Sequence, residues 1–171
     1  AVMGNHELNA IAWATPHPRG DGTYLRPRHG AKGEKNVRQH AAFLNENEPD
    51  SAAHREWIDW FMELPLWIEE PGYRVVHACW SPDQADRLRP RLREGLRMTP
   101  DLLFDAHNRD HEAFDAVDVL LKGQEAPLPA GVTFTDKDGH MRDAIRTRWW
   151  KPDAGTYREA YIGPGGVEIP D

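Results

Sequence analysis

At 171 residues the chain is long enough for one domain with its own core and short for two. Hydrophobic residues at 39% and charged residues at 29% are ordinary globular usage, and the fourteen prolines are scattered, which argues against a chain disordered throughout. A net charge of −7 opposes a broad nucleic-acid-binding surface, because such surfaces draw their affinity from clustered lysine and arginine.

A single cysteine, Cys79, cannot form an internal disulfide, and no run of eighteen apolar residues or charged-then-apolar leader points to a membrane. A reducing, cytoplasmic home is the expectation. The opening Ala1-Val2-Met3-Gly4 lacks an initiator methionine and runs straight into a loop motif, so the sequence reads as cut from something longer.

Residues 1 to 3 read as the end of a strand, followed by a Gly-Asn turn and a short helix carrying Leu8, Ile11 and Ala12. From Pro16 to Gly33 the composition predicts a long surface loop, and Arg19, Arg26, Arg28, Lys32 and, just past it, Lys35 form either a solvated stretch or an arm toward a phosphorylated group. Asn36 is placed to cap a helix with apolar Val37, Ala41 and Leu44. Asp50 or Ser51 is placed to cap a second, with Trp57, Trp60, Phe61 and Leu64, ending at Pro65. Leu66 to Ile68 and Tyr73 to Val76 read as strands joined by the turn Glu-Glu-Pro-Gly.

Ser81-Pro82 and Thr99-Pro100 each put a hydroxyl at the N-cap and a proline at the first helical position. A helix from about His111 to Leu121 offers Phe114, Val117, Leu120 and Leu121 as a buried stripe and stops at Lys122-Gly123. Val132 to Phe134 and Met141 to Arg146 flank Asp136-Lys137-Asp138-Gly139, read as a hairpin turn. That turn resembles the start of a calcium loop but lacks its later glutamate and flanking helices. Of the seven tryptophans, Trp57, Trp60, Trp67, Trp149 and Trp150 are expected in the core.

The chemistry concentrates in two places. Gly4-Asn5-His6-Glu7 combines a backbone bend, a neutral carbonyl oxygen able to meet a metal, and an imidazole able to donate a proton near neutral pH. A Gly-Asn-His-acid string arises by chance in roughly one chain of this length per thousand. The structural alternative is a plain strand-to-helix turn capped by Asn5. The second place is Val75-Val76-His77-Ala78, which puts a histidine just past a strand end.

These two motifs resemble the third signature and the later metal-binding strand of the calcineurin-like metallophosphoesterase superfamily. Ala1 to Thr15, Trp57 to Trp80, Lys122-Gly123-Gln124-Glu125 and Arg148-Trp149-Trp150 are similar to a bacterial branch related to the protein serine/threonine phosphatases and symmetrical diadenosine tetraphosphatases. The resemblance implies an α/β fold, part of a four-layer α/β/β/α sandwich, with residues 1–171 forming one partial domain. It implies two divalent metal ions (manganese, iron, zinc or magnesium) and hydrolysis of a phosphomonoester, phosphoprotein or dinucleoside polyphosphate. By that resemblance Asn5 and His77 ligate one metal, and His6 is the general acid for the leaving oxygen. Glu7 orients its neighbours, and Lys122 and Arg148 reach the phosphate.

The departures are specific. The family's upstream Gly-Asp-x-His-Gly and Gly-Asp-x-x-Asp-Arg-Gly, which supply the first metal's ligands and the bridging aspartate, have no counterpart here. The later Gly-His finds only Gly139-His140, inside an expected turn, and its true counterpart is expected beyond Asp171. Two ligands bind metal weakly, so these residues alone are expected to lack appreciable phosphatase activity. The alternative is a non-catalytic remnant or interaction module with the same fold. A fold lacking its first strands is expected to leave sheet edges open and to be less stable or to self-associate. His17, His29 and His40 are too irregularly spaced for zinc, His107 and His111 lack the intervening glutamate of a zinc-protease helix, and Cys79 reads as a buried small residue, not a nucleophile.

Overall fold

The computed structural model describes residues 1–136 and 139–169, so Lys137 and Asp138 of the expected turn lie outside the described residues. The chain is a mixed α/β fold, with three separate two-stranded antiparallel sheets among the described residues. Residues 1 to 3 are not a strand; Met3 is fully buried and its N–H donates to the Pro65 carbonyl at 2.8 Å.

Helix α1 (Asn5–Ala14) starts at Gly4, whose N–H donates to Glu7 Oε2 at 3.0 Å. Glycine has no side chain to return that bond, so this is one half of a capping box. Leu8, Ile11 and Ala12 are buried as expected, and Trp13 with them.

Two expectations for the next segment fail. The helix begins earlier, as α2 (Gly30–Gln39), breaks at His40 (φ −112°, ψ 13°), and resumes as α3 (Ala41–Glu46). Asn36 lies inside α2, buried, and its amide donates to the Pro27 carbonyl at 2.8 Å, while Val37 faces solvent. The contact face is set by close approach, not by the apolar spacing: a Cβ on Gly33 would sit 2.4 Å from the backbone carbon of Arg28.

Of the five cations expected in or just past the long loop, Arg19, Lys32 and Lys35 are exposed, whereas Arg26 and Arg28 turn inward. The guanidinium of Arg28 lies 4.1 Å from the Trp13 ring centroid and 3.6 Å from that of Tyr24; it also donates to the Trp13 carbonyl and bonds both carboxylate oxygens of Asp50. Arg26 bonds Asn9 Oδ1 and Gln39 Oε1.

Helix α4 (Ala52–Met62) is capped by Ser51, which accepts from His54 N–H at 3.1 Å. His54, 1% exposed, faces inward, and Ile58, Phe61 and Met62 pack partly buried against the core, whereas Trp57 and Trp60 are 45% and 48% exposed, a correction to the expected core. The hairpin β1 (Trp67–Glu70) and β2 (Tyr73–Val76) forms as predicted, with Trp67 opposite Val76. Helix α5 (Pro82–Leu88), a 3₁₀ turn (Arg89–Arg91) and α6 (Pro100–Asp105) follow. Thr99 Oγ1 caps α6 by accepting from Leu102 N–H, whereas the Ser81 hydroxyl makes no capping bond to α5. Helix α7 (Glu112–Lys122) ends at Gly123, burying Ala113, Ala116, Val117, Leu120 and Leu121 but only half of Phe114.

Beyond α7 one pairing is local, around the expected turn, and one is not. Strand β3 (Glu125–Pro127) takes β6 (Ala144–Arg146), and β4 (Phe134–Thr135) takes β5 (Met141–Arg142), so Met141 to Arg146 is two strands divided at Asp143. A short α8 (Tyr157–Ala160) closes the sequence of elements. One buried cluster gathers Met3, Ile11, Leu66, Trp67, Met98, Leu102 and Leu120; a smaller one gathers Leu128, Phe134, Ile145 and Ile169. Among the described residues no helix is long and apolar enough to cross a membrane.

Candidate functional site

The first turn of α1 and the residue after β2 meet. His77 Nε2 lies 3.1 Å from Asn5 Oδ1 across 72 positions of sequence; with the ring hydrogen on Nε2 the two share a hydrogen bond, and with it on Nδ1 both atoms present lone pairs to the same point. Gly4 permits this meeting: a Cβ there would stand 2.8 Å from His77 Cε1 and 2.6 Å from Glu7 Oε2. Glu7 fixes the turn through Gly4 N–H. His6, the next residue of α1, is exposed, and its ring packs edge-on to that of His40 with centroids 6.0 Å apart.

A cavity of about 260 Å³ opens beside Asn5 and His77 and is also lined by Lys122, Arg146, Trp149 and Trp150. The Trp149 indole N–H donates to the Ala78 carbonyl at 2.8 Å, binding the C-terminal segment to the root of His77. Lys122 is tied to Asp118 one turn earlier in α7 and still lines the cavity. Arg148 is exposed and does not line it; Arg146 does. Neither Arg146 nor the placement of Trp149 was readable in sequence, since both follow from the pairing of β6 with β3.

Trp149 is half-buried and Trp150 is 56% exposed, so neither belongs to the expected core. Gly139-His140 stands apart from this cavity: His140 N–H donates to Asp136 Oδ1 in the β4–β5 turn. Cys79 is buried and burial pushes its thiol above the usual range, which disfavours the thiolate. His107 donates to the Leu103 carbonyl, and His111 caps α7.

An amide oxygen and an imidazole nitrogen converging from two elements are a donor pair suited to part of a divalent metal's shell. Among the described residues no three His, Cys, Asp or Glu side chains group as a metal-holding cluster. The residues therefore fit two ligands of a metal, not a complete set. No family model, curated protein or solved structure matches the chain.

Proposed function

We propose that this chain carries part of the centre of a metal-dependent phosphoesterase, acting on a phosphorylated small molecule or phosphoprotein. The observation that supports it is the 3.1 Å approach of Asn5 Oδ1 and His77 Nε2 at the N-terminus of a helix whose next residue is His6. Asn5 and His77 would hold one of two divalent metals, which when bound supply a nucleophilic hydroxide and Lewis acidity. His6 donates a proton to the leaving oxygen as its bond to phosphorus breaks. Glu7 keeps the first turn of α1 in place through Gly4 N–H, and Lys122 and Arg146 offer positive charge to the phosphate. On this reading the mixed α/β fold is part of a four-layer α/β/β/α sandwich.

A second reading, a non-catalytic binding module, is favoured by the bare two-ligand set. Manganese titration followed by paramagnetic broadening tests the first. Saturable broadening is expected at Asn5 and His77, weak in affinity, and lost in His77→Ala. It is expected to weaken at least about tenfold in Gly4→Ala, whose methyl displaces the His77 ring while costing about 1 kcal/mol of fold stability, the scale of a lost cap. Broadening elsewhere, or none, overturns the proposal. An aspartate-histidine motif followed by an aspartate-rich one in the coding sequence upstream of Ala1 separates the enzyme from the module.

A further inference from the structure

Two cavities flank the first turn of α1, and their chemistry differs. The one at Asn5 and His77 is lined by Lys122 and Arg146. The other, about 290 Å³, lies on the side of His6 and is walled by Ala10, Ala42, Phe43 and Phe61, with the polar His6, Glu7, Gln39 and His40 along its rim. The Phe43 and Phe61 rings stand 5.7 Å apart at 45°, an aromatic corner with no lysine or arginine among the residues that line the cavity. A further phosphate meets the Glu7 carboxylate and no lysine or arginine among the lining residues; a flat apolar group meets two aromatic rings and two methyls.

We infer that the cavity between α1, α3 and α4 receives the leaving group of the substrate, and that this group is an aromatic alcohol. The inference rests on the proposed role of His6. In hydrolysis water's oxygen bonds to phosphorus, the phosphorus–oxygen bond to the alcohol breaks with its electron pair staying on that oxygen, and His6 supplies the proton; the attacking water's proton goes to solvent. An oxygen within reach of His6 has its carbon skeleton beyond it, and the space bordering His6 is this apolar cavity. Substrate polarity is thus matched at both ends, phosphate toward Lys122 and Arg146, ring toward Phe43 and Phe61.

The test uses the whole 171-residue chain with 1-naphthol, 1-naphthyl phosphate and inorganic phosphate as probes, read by methyl and aromatic carbon NMR. Naphthol is expected to shift Ala10, Ala42 and the two phenylalanine rings saturably, and glycerol to shift none of them. Ala42→Trp, at an exposed position of α3, is expected to weaken naphthol and naphthyl phosphate at least about tenfold and leave inorganic phosphate unchanged. Ala42→Leu provides a smaller plug should the larger one disturb folding. Naphthol shifts absent from these residues, equal binding of glycerol, or indifference to both Ala42 variants overturns the inference, and leaves the metal reading intact if manganese still broadens Asn5 and His77. Naphthol binding without that broadening overturns the phosphoesterase reading and leaves an aromatic-binding cavity.

Discussion

Two imidazoles, His40 and His54, are buried, and a third, His107, is half-buried. Burial holds His40, His54 and His107 below the ordinary histidine value of 6.5; at His54 the nearby Asp50 opposes the shift while Arg28 and Arg55 add to it. In the unfolded chain the same groups titrate at their ordinary value. As pH falls past 6.5 the unfolded chain therefore takes up protons that the folded one refuses. The stability carried by the neutral rings is whole above that pH and is lost as pH drops through the depressed native values.

Thermal melts in a series from about pH 7.5 to 5 are expected to show a falling Tm. His54→Phe, which preserves ring contact with Trp13 and Phe43, is expected to make the fall shallower. A Tm flat across the range overturns this. Nothing in the sequence distinguishes His54 from His17 or His29; its burial depends on α4 turning its tryptophans outward.

Among the elements, the segment between α1 and α2 is held by Arg26 and, most heavily, by Arg28. Arg28 stacks against Trp13 and Tyr24, satisfies the Trp13 carbonyl and grips Asp50 with both outer nitrogens. Lysine offers charge without the planar fork. Arg28→Lys is expected to cost about 2 kcal/mol, from lost stacking and an unsatisfied backbone acceptor, measured by urea unfolding. A loss below about 0.5 kcal/mol, the usual scale of a surface change, counts against the strap.

The hairpin β1–β2, the Thr99 cap and the helix ending at Gly123 were legible in sequence, because turn composition and capping chemistry are local. The break at His40, the inward turn of Arg26 and Arg28 and the β3–β6 pairing were not, because each is decided by residues distant in the chain. The site divides in the same way. Asn5, His6 and His77 were candidates by motif, whereas Arg146 and Trp149 come to line the cavity beside Asn5 and His77 through tertiary packing.

At the scale of the whole molecule, apolar surface is left in the open. Trp57, Trp60, Tyr73 and Val75 are each more than 40% exposed, and β2 has a strand partner on one edge only, β1, among the described residues. An uncovered strand edge offers unpaired N–H and carbonyl groups to another chain. Sedimentation is therefore expected to show a mass that rises with concentration, and Val75→Lys, a charge on that strand, to lower it. A monomer at every concentration overturns this.

The indole of Trp149 bonded to the carbonyl of Ala78 has one more consequence. It makes the site the joint property of the beginning, middle and end of the chain, with no contiguous stretch carrying all of it. A transplant of residues 1–122 would bring Asn5, His6, His77 and Lys122 yet leave behind Arg146, Trp149 and the carbonyl's partner. Whatever chemistry this region performs would have to be inherited as a whole, since recombination anywhere between α7 and Trp149 would separate the wall of the pocket from its floor.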